Sequence, residues 1–378
     1  MCDRRVVAWS FVLLLCLGCG KDQAPDAVVA LVLSPKTIAL GPKEQYQMAA
    51  TVLLANGDTL SGAQLFWTTN NHAVATVDDS GLVTARGVGS VEVHATMYAP
   101  EITGAATVVA TDVLQNVIVY TTRQYGPRNE LGAVRPDGTG RRRVTEGQDG
   151  YETPAISPDG RRIAFVRQGA GIYVMSSEGT GAVPLVFRTI GDAAPAWSPD
   201  GSRIAFKSDY YAPAAPYGRI FVVNVDGTGL RLVSPDSTDA TADDAAPAWS
   251  PDGTRIVFTR NGTLHVVNAD GTGFTALPNP DGAASPSWSP DGTRIAFQSA
   301  DGHIFVANAD GSNAVQVTRI SGFSETAPRW SPDSRRIVFA RATAGSDLLI
   351  INADGTGEVR LSTGNAATDA SPSWSPLP

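Results

Sequence analysis

Acidic residues recur at one place in the last two-thirds of the chain: Glu152, Asp192, Asp244, Glu325 and Asp369, with Asp281 slightly displaced in the remaining copy. Each stands just before a short apolar segment such as "APAWS". Two chemistries fit a carboxylate repeated in this way. In the structural one, each acid caps a turn or pairs within its own repeat. In the functional one, the set surrounds the mouth of a central channel and holds a cation or a cationic peptide, flanked by Tyr210, Tyr211 and Tyr217 on the longest neighbouring loop. Oxygen-only ligands of this kind suit calcium better than zinc.

Other chemistry finds little support. The four histidines, His72, His94, His265 and His303, are scattered, and no pair has metal-ligand spacing on one element. There is no G-x-S-x-G elbow and no G-x-x-x-x-G-K-[ST] phosphate loop; "GFSET" at Gly322 lacks the second glycine and reads as a loop. The expectation is a protein that is not an enzyme, with no cofactor unless calcium occupies the acidic ring. The alternative is a metal-assisted hydrolase or lyase that uses the acidic funnel. A net charge of -8, from 29 Lys and Arg against 37 Asp and Glu, disfavours nucleic acid, which needs a basic stripe.

The elements that must position these residues are repeats. "SPDG" begins at Ser157, Ser198, Ser250 and Ser289, "SPDS" at Ser331 and a clipped "SPLP" at Ser375. The spacing is that of a four-stranded propeller blade. Within a unit, "APAWS" leads into a Gly-closed Pro-Asp-Gly hairpin, "RIAF" returns as the second strand, "IFVVN" follows as the third, and a turn such as "VDGTG" leads to the fourth. Ser334 replaces the turn glycine in one copy, at about 1 kcal/mol if positive φ is kept.

Second strands number six from Val117 onward, and so do third-to-fourth turns. First strands number six only if the terminal "SPSWS" is included, because nothing like it precedes Val117. The last residues therefore carry the inner strand that the first blade lacks. Trp197, Trp249, Trp288, Trp330 and Trp374 recur at one position and are expected to pack between blades, with Ile156 in their place in the second blade. Arg162, Arg203, Arg255, Arg294 and Arg336 are expected to pair with turn carboxylates.

This pattern, "P-x-W-S-P-D-G-x-x-I-x-F", resembles the TolB-type Pro-Asp-Gly repeat propellers and the related propellers of dipeptidyl peptidases. The resemblance implies a six-bladed propeller over residues 113–378. Oligogalacturonate lyases of similar repeat type would need several histidines around one metal, which this chain does not supply.

Residues 27–111 read as short alternating strands. In "EQYQMAATV" apolar residues fall at every second position, and "ANGDTL" supplies an Asn-Gly hairpin turn at Asn56 and Gly57. The run "LFWTTNNHAVATVDDSGLVTARGVGSVEVHAT", Leu65 to Thr96, resembles the bacterial Ig-like domain of group 2, which implies a β-sandwich with Trp67 as the plug between sheets. Such domains commonly serve as spacers or adhesive modules. The chain is thus expected to be all-β, an Ig-like β-sandwich followed by a six-bladed β-propeller closed by its C-terminal strand.

The first residues read as a leader: Arg4 and Arg5, then an apolar stretch from Val6 to Leu17, too short to span a bilayer. "CLGC" resembles a bacterial lipobox, with Gly18 and Cys19 at the cleavage and lipidation positions and Cys16 where that family usually has Leu. The expected layout is a signal peptide over 1–18, lipid on Cys19 and a tether over 19–26. All three cysteines, Cys2, Cys16 and Cys19, lie in this segment, so no internal disulfide is expected.

In an up-and-down blade, the first-to-second and third-to-fourth turns share one face, and here both are uniform. The other face carries all the length variation, chiefly "SDYYAPAAPYG" at 208 and "SPDSTDATADDAA" at 234. Binding residues concentrate on variable loops held by a rigid scaffold. The expectation is a monomeric envelope lipoprotein of the outer membrane, on its periplasmic or surface side, that presents the propeller to a protein, peptide or glycan and meets the membrane through its lipid alone.

Overall fold

The computed structural model describes residues 27–376 apart from 42, 99, 112–113, 115, 147–148, 187–190, 210–216, 236–240, 279–281, 321, 343–344 and 362–367. Cys19, Tyr210, Tyr211 and Asp281 lie outside the described residues. What is described is strand and turn, with no helix. The chain divides after Thr111 into two compact units.

In the first unit, Val28–Ser34, Ala49–Leu54 and Thr59–Leu60 form one sheet, and Thr37–Leu40, Glu101–Ala110, Gly89–Tyr98 and Phe66–Thr69 form a second. Gln45–Gln47, Leu82–Ala85 and Ala75–Val77 add a third, small sheet. The alternation read in the sequence places Met48 and Val52 in the core beside Leu33, Val83, Val93 and Val108. Trp67 is half-buried against that core, and a Cβ added at Gly81 would lie 2.6 Å from its ring, so glycine is required for this packing. At the Asn-Gly turn only Gly57 takes positive φ, while Asn56 uses its side chain to accept from Asp58 N–H at 2.9 Å.

The second unit consists, among the described residues, of six four-stranded antiparallel sheets. Blades 2 to 6 begin at the inner strands Tyr151–Ile156, Ala193–Trp197, Asp244–Trp249, Ala284–Trp288 and Glu325–Trp330. Blade 1 takes its second strand from Ile118–Thr122 and its inner strand from Asp369–Trp374, paired antiparallel with Ile118 opposite Trp374. The join is reinforced by Ser375 N–H donating to Val117 O and Val117 N–H donating to Ser375 Oγ, both at 2.9 Å. This inner strand also touches the inner strands of blades 2 and 6. The second strands are buried along their middles, since each lies between two others of its sheet. Phe165, Phe206, Phe258, Phe297 and Phe339 occupy one equivalent position, with Tyr120 in blade 1.

The Pro-Asp-Gly turns are locked by side chains as well as by glycine. In the five complete copies the turn serine donates to its aspartate at 2.5–2.6 Å, and its oxygen accepts the N–H of the following arginine at 2.8–2.9 Å. Ser334 does keep positive φ, at 57°. Its hydroxyl accepts Asp291 N–H of the preceding blade at 3.0 Å, which offsets part of the cost.

The repeated arginines stand near their turn carboxylates, with Arg294 3.9 Å from Asp291, but each also makes a contact that the sequence did not suggest. Arg162, Arg203, Arg255 and Arg294 lie over Trp197, Trp249, Trp288 and Trp330 of the next blade at 4.5–4.8 Å, and Arg336 lies over Trp374 at 5.4 Å. A guanidinium stacks well on an aromatic face, and a solvated turn carboxylate competes poorly with it. Trp197, Trp249 and Trp330 also donate to the preceding blade's inner strand, at Ala155 O, Ala196 O and Ser287 O.

Candidate functional site

Each inner strand contains a register shift, and at each the residue before proline is left-handed: Thr153, Ala194, Ala246, Ser285, Ala327 and Ser371, with φ between 44° and 52°. A residue before proline ordinarily stays extended, and positive φ costs a non-glycine residue about 1–2 kcal/mol. Six repetitions make this bulge a designed feature of the inner strands. Its consequence is a cavity of about 300 Å³ lined by the x-Pro-x segments of all six inner strands.

The acidic residues just upstream are held differently. Asp192, Asp244, Glu325 and Asp369 are buried, at 3% exposure or less, and Glu152 is half-buried. Arg260 of the same blade grips both oxygens of Asp244, at 2.5 and 2.7 Å. Glu325 receives two hydrogen bonds from Arg341, at 2.9 and 2.6 Å, and one from the Thr318 hydroxyl. Arg341 reaches on to Glu358 at 2.6 and 2.7 Å. Asp369 accepts from Thr122 Oγ1 at 2.6 Å and from Arg141 at 3.1 Å, both in blade 1. Glu152 accepts from Asn129 Nδ2 at 2.8 Å. Each acid–arginine pair lies within one blade, where each partner neutralises a charge that would be costly to leave buried alone.

Among the described residues no three of His, Cys, Asp and Glu come together as a metal site. His303 Nδ1 stands 3.7 Å from Glu325. His265 is stacked on Phe274 at 4.8 Å, and its burial lowers its pKa. Tyr217 is half-buried at the end of the long second-to-third loop of blade 3.

On the opposite, hairpin face, the strongest perturbations are in turn aspartates. The Ser198 hydroxyl and the Ser202 N–H hold the Asp200 carboxyl down to about 2, and Ser250 and Thr254 do the same for Asp252. These groups are fixed acceptors of local hydrogen bonds and are poorly suited to proton transfer near neutral pH.

Sequence reasoning missed Arg329. It occupies the place between proline and tryptophan where the other copies have Ala155, Ala196, Ala248, Ser287 and Ser373, and it lines the central cavity. Aligning the six copies exposes it as the one charged residue at that position. Desolvation lowers its guanidinium to about 10, so it stays charged at neutral pH.

Taken together, the fold is a propeller of repeated Pro-Asp-Gly hairpins, with a small polar cavity on its axis and a sandwich unit before it. The family model described as the TolB beta propeller domain matches residues 101–377, and the chain belongs to that family. Residues 27–112 match the bacterial Ig-like domain, group 2. Among solved structures, TolB from Acinetobacter baumannii is similar at 19% identity, with a TM-score of 0.60 and 84% of each chain covered. A putative TolB from Agrobacterium tumefaciens is 21% identical, with a TM-score of 0.53, covering 65% of this chain and 88% of its own. A nidogen/laminin complex gives 10% identity and a TM-score of 0.57, covering 68% and 97%. At these identities the likeness is one of fold. No curated protein matches the sequence.

Proposed function

We propose that this chain is a non-catalytic binding or scaffold module of the bacterial cell envelope. Its Ig-like unit is a spacer, and its propeller presents a protein, peptide or glycan site on the variable-loop face. The observation that carries this reading is the contrast between the two propeller faces. One is sealed by near-identical turns whose serines, aspartates and glycines satisfy one another. The other is built from connections that differ in length from blade to blade, the arrangement by which a rigid scaffold carries recognition.

The buried, arginine-paired acids support the non-catalytic side of the reading, since carboxylates locked in this way are poorly placed to exchange protons with a substrate. In this proposal the chain is exported as a monomer, carries lipid on Cys19 at the outer membrane and needs no cofactor. Radiolabelled-lipid incorporation that is lost in Cys19→Ala tests the anchor. A hydrolase and lyase screen on the mature chain, with and without calcium and other divalent metals, tests the rest. The proposal expects no turnover in any arm, and metal-dependent turnover would establish the enzymatic alternative.

A further inference from the structure

The axial cavity is chemically lopsided. The inner strands of blades 3 and 4 face it with Ala194, Ala196, Ala246 and Ala248. The other four blades bring polar groups: Ser285 and Ser287 from blade 5, Arg329 from blade 6, Ser371 and Ser373 from blade 1, and Thr153 from blade 2. No carboxylate lines the cavity among the described residues. The hydrogen bond that Arg329 makes is to its own neighbour, from Nη1 to Pro328 O at 2.8 Å. Across blade 1 from it, Thr153 Oγ1 is buried without a hydrogen-bond partner among the described residues.

Arg329 is half-buried, and a partly desolvated guanidinium without a counter-charge is unfavourable, to which a buried hydroxyl without a partner adds. Both are relieved by one species, an anion with several acceptor oxygens. We propose that the central cavity is a binding site for a small oxyanion, carrying a carboxylate or phosphate group, with Arg329 as the charged anchor and the Thr153 and serine hydroxyls as donors. The fork of Arg329 matches two oxygens of such a group. The cavity has the volume of about ten waters at roughly 30 Å³ each, enough for a phosphate or a short dicarboxylate. The chain is acidic overall, so its general field repels such an anion, and selection rests on the cavity itself. This site is separate from the variable loops and stands whether or not they carry a partner.

Trp197, Trp249 and Trp288 line the cavity and provide the signal. Their fluorescence is followed while succinate or inorganic phosphate is added to the full mature chain, with ionic strength held constant by chloride. The proposal expects a saturable response to at least one of the two, and the arm that responds at lower concentration identifies the preferred group. Arg329→Gln is expected to weaken binding at least about tenfold, the effect of losing charge-assisted bidentate bonding. Arg329→Lys is expected to retain part of the affinity, and Thr153→Val to lose a few-fold. In anion-free buffer Arg329→Gln is expected to melt at or above the parent temperature, because an uncompensated charge has been removed. No saturable response, unchanged affinity in Arg329→Gln, or a fall in its anion-free melting temperature overturns the site.

Discussion

The inter-blade stacking of arginine on tryptophan gives a quantitative prediction. Trp249 is 7% exposed, donates to Ala196 O at 3.2 Å and lies under the Arg203 guanidinium at 4.7 Å. Truncating it in Trp249→Ala removes a buried indole and leaves a cavity between blades 3 and 4, at about 3–5 kcal/mol. At about 2 °C per kcal/mol for a unit of this size, the melting temperature of the propeller is expected to fall by roughly 6–10 °C. Arg203→Ala removes only the stacked cation, at about 0.5–1 kcal/mol. The two residues touch, so their effects are expected to be non-additive, and the double variant measures the coupling directly. Urea unfolding of the parent, both single variants and the double variant is expected to return about 0.5–1 kcal/mol of coupling. A coupling below about 0.3 kcal/mol, within ordinary additivity, would mean that Arg203 acts elsewhere and that the stacked geometry contributes nothing.

Further outcomes follow from other contacts. Deleting residues 371–378 removes Trp374 and the Ser375 bonds to Val117, and bares the inner edge of Ile118–Thr122. The melting temperature is expected to fall further than in Trp249→Ala, and an unchanged melt would mean that this strand does not close the ring. Asp244→Ala leaves the Arg260 guanidinium buried without its partner and is expected to cost about 3–5 kcal/mol in urea unfolding; a loss of ligand binding at unchanged stability would instead make Asp244 a binding residue. Asp200 and Asp252 have folded values near 2, below the unfolded value of about 3.9. Their stabilisation is therefore complete above pH 4 and is lost as pH falls from about 4 through 2. The Ser198→Ala/Ser250→Ala double variant is expected to flatten the melting-temperature profile in that window and nowhere else.

The blade plan was legible because turn chemistry is local. Pro fixes one turn angle, Gly takes the left-handed one, and Ser and Asp satisfy the intervening N–H groups within five residues, so each hairpin declares itself in a short string. The spare terminal strand was legible by counting strands of each type. What escaped was set by contacts between repeats. The turn arginines lie beside their own aspartates in sequence, yet their ring partner is a tryptophan some 33 to 46 residues on, in the next blade. The inner-strand bulges escaped because a residue before proline is normally extended, and only tertiary packing holds Ala194 or Ser371 left-handed. The upstream acids were found, but not their depth, since the arginines that grip Asp244 and Glu325 lie 16 residues away on the adjacent strand. Arg329 was readable all along as the odd member of an otherwise Ala, Ser and Ile-flanked alignment of repeats.

The most direct test of the central claim, that recognition belongs to the variable-loop face, is site-specific photocrosslinking of the full chain in intact envelopes. One photoreactive residue replaces Tyr217, at the end of the longest second-to-third loop, and another replaces Glu178, exposed in a third-to-fourth turn on the hairpin face. The account expects a discrete, saturable adduct from position 217 and none from position 178. An adduct formed from 178 alone would contradict it.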